Sequence, residues 1–357
     1  MKIMSVVGAR PQFVKLAPIA KAISETEHEH IIVHTGQHYD PLLSDIFFRD
    51  LGIPAPDAHL GIGSGSHGVQ TGAILARMDE VLEQFSPDCV LVYGDTNSTL
   101  AATLSAVKLH YPVAHLEAGL RSFNRDMPEE HNRVLTDHAS DICLAPTEVA
   151  REHLTREGLA NRTVVVGDVM TDVLYEVRNQ VESADQAAAI ADLQLPDSYY
   201  LATIHRAENT DSPERLREIV TALSNADKPV VLLAHPRLRA KAAEQALELE
   251  QGSIVLRDSL AYPQLIAAAL GSSGIATDSG GLQKEAFLLR VPCTTMRRET
   301  EWVETVQLGW NVLANSTTEI LAALTRPAPQ PTTAAPYGDG HAARRVVEVL
   351  SERIPLG

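Results

Sequence analysis

Cysteine is scarce in this chain: Cys89, Cys143 and Cys293 are all there is in 357 residues. Each lies in an apolar run and no two form a Cys-x-x-Cys pair. A disulfide framework or a zinc site is therefore not expected, and the simple reading is three buried small hydrophobes. Long apolar runs are missing as well. No stretch approaches the roughly 18 apolar residues that cross a bilayer. Residues Met1–Val7 read as a short first strand and lack the small-residue cleavage site of a signal peptide, so the expected location is cytoplasmic, with no membrane partner. An excess of positive charge is also absent. There are 30 basic against 46 acidic residues, a formal net charge of −16. Such a field repels nucleic acid and anionic membranes. A phosphate-bearing ligand must then be held by locally placed backbone amides and a few Arg, Lys and His side chains.

Hydrophobic residues make up 45% of the chain, enough for two cores, and the length exceeds one ordinary domain. Apolar, β-branched runs alternate with amphipathic stretches. Strands are expected at Ile3–Val7, Ile31–Thr35, Cys89–Tyr93, Val113–Leu116, Ile142–Ala145 and Val164–Val166. After Gly167 the rhythm restarts at Tyr200–Ile204, Val230–Ala234, Ile254–Leu256, Gly274–Thr277, Pro292–Met296 and Asn311–Leu313. Between them lie helical patterns such as Gln12–Ser24, Val69–Gln84, Leu216–Asn225 and Ala240–Glu250. Strands alternating with helices imply parallel sheets covered on both faces. The predicted class is α/β, with two Rossmann-like, doubly wound domains and a boundary around Gly167–Asp197. The polar, Ala-rich segment Glu182–Leu193 suits an exposed helix or connector, Arg326–Pro336 with its four prolines a surface loop, and His341–Arg353 a last helix.

In doubly wound sheets ligands bind beyond the carboxyl ends of the strands, so the residues just after each strand are the candidates. The first strand ends in Gly8-Ala9-Arg10-Pro11-Gln12. Arg10 sits beside a helix N-terminus and Lys15 one turn inside, together able to hold a phosphate or carboxylate. A plain turn with solvated basic residues is the competing reading. Asp95, in Tyr93-Gly94-Asp95-Thr96, follows an apolar strand and is either a helix N-cap or a catalytic acid or base. Glu117 follows the next strand. Glu129, in Met127-Pro128-Glu129-Glu130, opens a helix whose dipole alone would favour acidic residues there. Convergence of Asp95, Glu117 and Glu129 on one cleft would shift their pKa values apart and separate acid from base.

The second half ends two strands in histidine, at His205 and His235. The turn Thr277-Asp278-Ser279-Gly280-Gly281 opens the helical stretch Leu282–Leu289. Small residues there let backbone N–H groups of Ser279, Gly280 and Gly281 approach a diphosphate, and Glu285 one turn on can accept from ribose hydroxyls. The glycine-rich run Gly61–Gly68 follows no apolar strand and lacks the acidic partner of a dinucleotide site, so it reads as a surface loop. The chain thus offers no nicotinamide fingerprint and no metal-ligand cluster of useful spacing; neither metal nor other cofactor is expected.

The motifs GARPQFVKLAP (8–18), TGQHYD (35–40), YGDTNSTLA (93–101), HLEAGLRS (115–122), MPEEHNR (127–133), HRAEN (205–209), TDSGGLQKEA (277–286) and PYGDG (336–340) resemble, in order and spacing, the non-hydrolysing UDP-N-acetylglucosamine 2-epimerases. The resemblance covers nearly the whole chain. It implies a GT-B-like fold in which residues 1–170 and 171–340 form two Rossmann-like domains about an interdomain active-site cleft, with the C-terminal helix, 341–357, returning to the first. It also implies a homodimer, a UDP-sugar as ligand, and epimerisation by elimination of UDP and re-addition through a 2-acetamidoglucal, with no nicotinamide. By motif, Asp95, Glu117 and Glu129 look like the acid/base carboxylates and His205 the group that stabilises the departing diphosphate. Arg10 and Lys15 bring positive charge to phosphates and sugar. Ser279, Gly280 and Gly281 hold the diphosphate, Glu285 the ribose, and Arg133 and His235 orient the carboxylates and ligand.

Two departures matter. Relatives activated by their own substrate often have HRRE where this chain has HRAEN, and a different residue after their GQH or AQH, where Tyr39 stands here. Substrate activation is therefore not implied. The GARPQ and HRAEN variants also resemble relatives acting on UDP-2,3-diacetamido-2,3-dideoxyglucuronic acid, which stands as the alternative substrate. A GT-B glycosyltransferase is the alternative of another class, although inward carboxylates suit proton transfer better.

Overall fold

The apolar, β-branched runs become parallel strands in the computed structural model, which describes residues 1–37, 52–183 and 193–354, without the side chain of Arg10. The chain forms two units: Met1–Val173 with the C-terminal stretch from Ala335, and Leu174–Ala334. Tyr39 and most of the connector at 182–193 lie outside the described residues.

The first unit holds β1 (Lys2–Val7), β2 (Glu29–His34), β3 (Ala58–His59), β4 (Cys89–Tyr93), β5 (Val113–Leu116), β6 (Ile142–Ala145) and β7 (Thr163–Val165). Its helices are α1 (Arg10–Ser24), α2 (His67–Phe85), α3 (Asn97–Lys108), α4 (Pro128–Ala139), α5 (Glu148–Arg156) and the start of α6 (Val169–Val181). The sheet order is β3-β2-β1-β4-β5-β6-β7, the doubly wound pattern, with every pair parallel. Strands covered on both faces need no polar alternation, and all five residues of β4 are buried. The short edge strand β3 was not anticipated. It pairs with β2 and leads into the Gly61–Gly68 loop, so that loop does follow a strand, though only two residues long.

The second unit holds β8 (Tyr200–Thr203), β9 (Val230–Ala234), β10 (Ile254–Asp258), β11 (Gly274–Thr277), β12 (Cys293–Thr295) and β13 (Asn311–Leu313). Its helices are α7 (Ala207–Thr210), α8 (Pro213–Ser224), α9 (Pro236–Glu244), α10 (Tyr262–Leu270), α11 (Gly280–Leu288), α12 (Val303–Gln307) and α13 (Thr317–Leu324). Its order, β10-β9-β8-β11-β12-β13, repeats the first winding. The helix expected at Ala240–Glu250 instead starts at Pro236 and ends at Glu244. His235 caps it, Pro236 suits the first turn, and Ala246 adopts a left-handed φ of 49° that no helix continues.

The last helix, α14 (Ala342–Arg353), belongs to the first unit. Its Ala343, Val346, Val347 and Leu350 share a core with Phe13, Leu16, Ile19 and Ile23 of α1. Asp172 accepts from the Ala342 and Ala343 amides at 3.0 and 2.8 Å, satisfying two of the orphan donors at that helix start. All three cysteines are free and buried, and burial pushes each thiol up to about 12. Among the described residues no helix is long and apolar enough to cross a membrane.

Candidate active site

In each unit the order of the sheet reverses beside its first strand; Glu117 and His235 follow β5 and β9, one strand further out, while the other strand-end candidates follow the two strands flanking that reversal. In the first unit these are the turns after β1 and β4. Gln12, buried in α1, ties them together. Its Oε1 accepts from the Gly8 and Ala9 amides at 2.8 and 3.0 Å, and its Nε2 donates to the Tyr93 carbonyl at 2.7 Å and to Thr96 and Thr99 at 3.1 Å. Arg10 opens α1 on this turn; its side chain lies outside the description.

Lys15, one turn into α1, forms an ion pair and hydrogen bond with Glu117 Oε2. Burial presses the ammonium pKa down, but Glu117, aided by Asp168 and Asp95, outweighs it and the net shift is upward. The ammonium therefore stays charged. Glu117 itself has φ 69°, a left-handed conformation uncommon for a residue with a side chain. Between the two strand ends stands Gly94, at φ 63°; a Cβ there would come within 3.3 Å of Glu117 Oε2 and 3.6 Å of Lys15 Nζ. The Asp95 turn and the Glu117 carboxylate are thus immediate neighbours.

The N-cap reading of Asp95 is corrected. Thr96 is the cap, its side chain accepting from the Thr99 amide at 3.3 Å. Asp95 is left free to take both Nε and Nη2 of Arg133, at 2.9 and 2.6 Å, a two-pronged charge-assisted contact. Asn132 secures the same turn by donating to the Asp95 carbonyl at 2.9 Å. Arg133 also reaches Glu130 at 3.0 Å. Glu130 is buried and accepts from the Ser122 and Phe123 amides, each at 2.9 Å. Burial alone would raise its pKa; these donors and Arg133 outweigh it and hold the carboxyl below its ordinary range. Glu129, the preceding residue, is exposed and makes no hydrogen bond with the described residues. The structure brings Asp95, Glu117, Lys15 and Arg133 together and leaves Glu129 outside that contact set.

In the second unit the corresponding turns follow β8 and β11. His205 ends β8, and its ring Nδ1 lies 3.0 Å from Asp278 Oδ1. Asp278, fully buried, also accepts from the His205 amide at 3.1 Å, the Arg206 amide at 3.0 Å and Asn209 Nδ2 at 3.0 Å. Burial raises the Asp278 pKa, but His205 and these donors outweigh it and keep it ionised. A carboxylate at Nδ1 holds a proton there and leaves Nε2 as the working nitrogen. Ser279 is the N-cap of α11, accepting from the Leu282 amide at 3.4 Å, and Gly280 and Gly281 form the first turn. His205, His235, Tyr262, Ser279, Gly281 and Glu285 line a cavity of about 350 Å³. Glu285 accepts from the Tyr262 hydroxyl at 2.8 Å, and burial pushes its pKa up. His235 is exposed and caps α9, its Nδ1 accepting from the Arg237 amide at 3.2 Å. His205, His235, Ser279, Gly281 and Glu285, all expected from the sequence, line this cavity; Asp278 here and Gln12 in the first unit were not among the expected site residues. Both stand in the motifs beside the expected residues; only their partners across the sheet reveal their task.

A family model for UDP-N-acetylglucosamine 2-epimerase matches residues 21–351. The chain belongs to the UDP-N-acetylglucosamine 2-epimerase family. It is an isomerase. A Methanococcus maripaludis UDP-N-acetylglucosamine 2-epimerase homolog is 46% identical, over 98% of this chain and 99% of that protein. The Pseudomonas aeruginosa UDP-2,3-diacetamido-2,3-dideoxy-D-glucuronate 2-epimerase is also 46% identical, over 99% of this chain and 100% of that protein. The crystal structure of Methanocaldococcus jannaschii UDP-GlcNAc 2-epimerase in complex with UDP-GlcNAc and UDP matches with a TM-score of 0.80 and 39% identity, over 99% of this chain and 100% of that one. For an epimerase of this family, the strand-end carboxylates of the first unit and the Gly-Gly helix start of the second are the features with chemistry to offer.

Proposed function

We propose that this epimerase inverts C2 of a UDP-linked 2-acetamido sugar, interconverting UDP-N-acetylglucosamine and UDP-N-acetylmannosamine without an added cofactor. The observation that carries this reading is the adjacency of the Asp95 turn and Glu117, two carboxylates at neighbouring strand ends, each held by its own cation. Inverting a carbon that bears hydrogen needs proton removal on one face and delivery on the other, and paired carboxylates with different partners supply it.

The chemistry runs as an anti elimination. A carboxylate takes the C2 proton, the C2–H electron pair forms the C1=C2 double bond, and the C1–O pair leaves with UDP. The 2-acetamidoglucal stays bound, UDP adds back at C1, and a proton reaches C2 from the opposite face. Asp95, Glu117 and Glu129 are the proposed acid/base set. His205, oriented by Asp278, stabilises the departing diphosphate, together with the Gly280 and Gly281 amides and the Ser279 hydroxyl. Arg10 and Lys15 add positive charge, Glu285 takes the ribose, and Arg133 and His235 orient their neighbours. In this reading the active species is a homodimer, which light scattering on the eluting protein tests directly.

The 46% identity to the Pseudomonas aeruginosa epimerase supports a second substrate, the diacetamido-glucuronate counterpart, by the same chemistry. The deciding experiment is proton NMR of the purified protein with each UDP-sugar in D₂O. Deuterium at C2 with growth of the epimer is expected for one of them. A folded, UDP-binding protein that exchanges C2 hydrogen in neither would overturn the reading and favour a transferase.

A further inference from the structure

Beneath the carboxylates lies a buried charge cluster that the reaction scheme does not use. His115, in β5 and fully buried, places Nε2 at 2.7 Å from the Gly94 carbonyl oxygen and Nδ1 at 2.6 Å from Asp137 Oδ1. Asp137, in α4 and also fully buried, presents Oδ2 to the Gly119 amide at 3.0 Å and to Arg121 Nη1 at 2.7 Å. Arg121 in turn makes a double contact with Glu157, both arms at 2.8 Å. His138 meets Glu157 at 3.2 Å, and the neutral thiol of Cys143, the β6 partner of His115, donates to the Asp137 carbonyl at 3.5 Å.

The Gly94 carbonyl only accepts, so Nε2 carries a proton. Asp137 receives a guanidinium and an amide on Oδ2 and faces the His115 ring on Oδ1, which favours its ionised form. Every polar atom of the His115 and Asp137 side chains thus has a fixed partner, and neither side chain reaches solvent.

We infer that the His115–Asp137–Arg121 cluster is the positioning device of the acid/base site, on the reading of function given above. It grips the residue before Asp95 through Gly94. It grips the turn two residues beyond Glu117 through Gly119, and so sustains the left-handed Glu117 backbone. Asp137 of α4 makes the second grip directly and the first through His115 of β5, and Arg133 of the same helix, one turn before Asp137, holds the Asp95 carboxylate. One helix thereby sets both carboxylates in register.

The test has two arms. In protein labelled with ¹⁵N-histidine, the ring signal absent from His115→Gln is expected to show an Nε2–H that exchanges slowly with solvent, as its buried bond to the Gly94 carbonyl requires; exchange as fast as that of the exposed His138 ring overturns the inference. This arm needs no variant to be active. In the second arm, Asp137→Asn and Arg121→Lys are expected to lower kcat about 10²-fold, the scale of an ångström-level misplacement, with KM and UDP affinity within about twofold. Lower thermal stability with unchanged kcat, measured well below the melting temperature, would reduce the cluster to scaffolding and overturn the inference. Should wild-type protein fail to exchange C2 hydrogen, the proposed function itself falls and this inference with it. Exchange by the wild type with unaffected variants overturns only the inference.

Discussion

Asp278 grips His205 at two points, the ring Nδ1 at 3.0 Å and the backbone amide at 3.1 Å. A residue at the end of β11 thereby fixes both the backbone and the tautomer of a residue at the end of β8. The Asp278→Asn variant keeps the shape but loses the charge that holds the proton on Nδ1. A fall in kcat of about 10²-fold with UDP binding retained is expected. Turnover equal to wild type would remove Asp278 as the orienting group.

Asp95→Asn, Glu117→Gln and His205→Asn are each expected to cost about 10²–10⁴-fold in turnover while leaving circular dichroism unchanged, the usual contribution of a general acid or base. Glu129→Gln separates a catalytic glutamate from one that only complements the helix dipole. Comparable loss keeps Glu129 in the set, and near-wild-type exchange of C2 hydrogen excludes it.

Lys15→Met strands Glu117 in a largely buried position, where the side chains of the pair are 16% and 12% exposed. Removing one partner of a buried ion pair costs about 3–5 kcal/mol in general, and the low end is expected here. Urea unfolding measures it; a loss below about 1 kcal/mol would mean that water solvates Glu117 as well as the ammonium does.

His30 supplies a pH dependence of stability. Burial lowers its pKa from 6.5 to about 4, and its Nε2 lies 2.8 Å from the Ser5 hydroxyl. The folded value is below the unfolded one, so between about pH 6.5 and pH 4 the unfolded chain binds the extra proton. Stability is present above that window and falls as pH drops through it, by on the order of 2–3 kcal/mol. His30→Asn should flatten this limb in urea titrations at several pH values. An unchanged slope would assign it to other groups.

Much of this molecule was legible in its residues. Strand-length β-branched runs, alternating with helical periods, specify parallel sheets because no other arrangement covers both faces of such strands. The turns after those strands marked Asp95, Glu117 and Ser279, since chain direction alone puts these residues at carboxyl ends, and Glu285 follows one turn into the helix that Ser279 caps. Local spacing failed where two interpretations shared one composition. Asp95 and Thr96 are both competent caps, and only the Arg133 contact from α4 decides that Thr96 caps. Glu129 and Glu130 are equivalent as sequence; helix phase turns Glu130 inward onto the Ser122 and Phe123 amides and leaves Glu129 in solvent.

Neighbours along the chain were enough for all strands but β3, for the presence though not the exact starts of the helices, for the small residues of the Gly280–Gly281 turn and for the family motifs. Tertiary structure alone decided what depends on partners far apart in sequence. Lys15 meets Glu117 across 102 positions, Gln12 meets Tyr93 across 81, and His205 meets Asp278 across 73. The physical reason is that ion pairing and hydrogen bonding act over a few ångströms of space, and only folding of the sheet fixes which distant side chains share them.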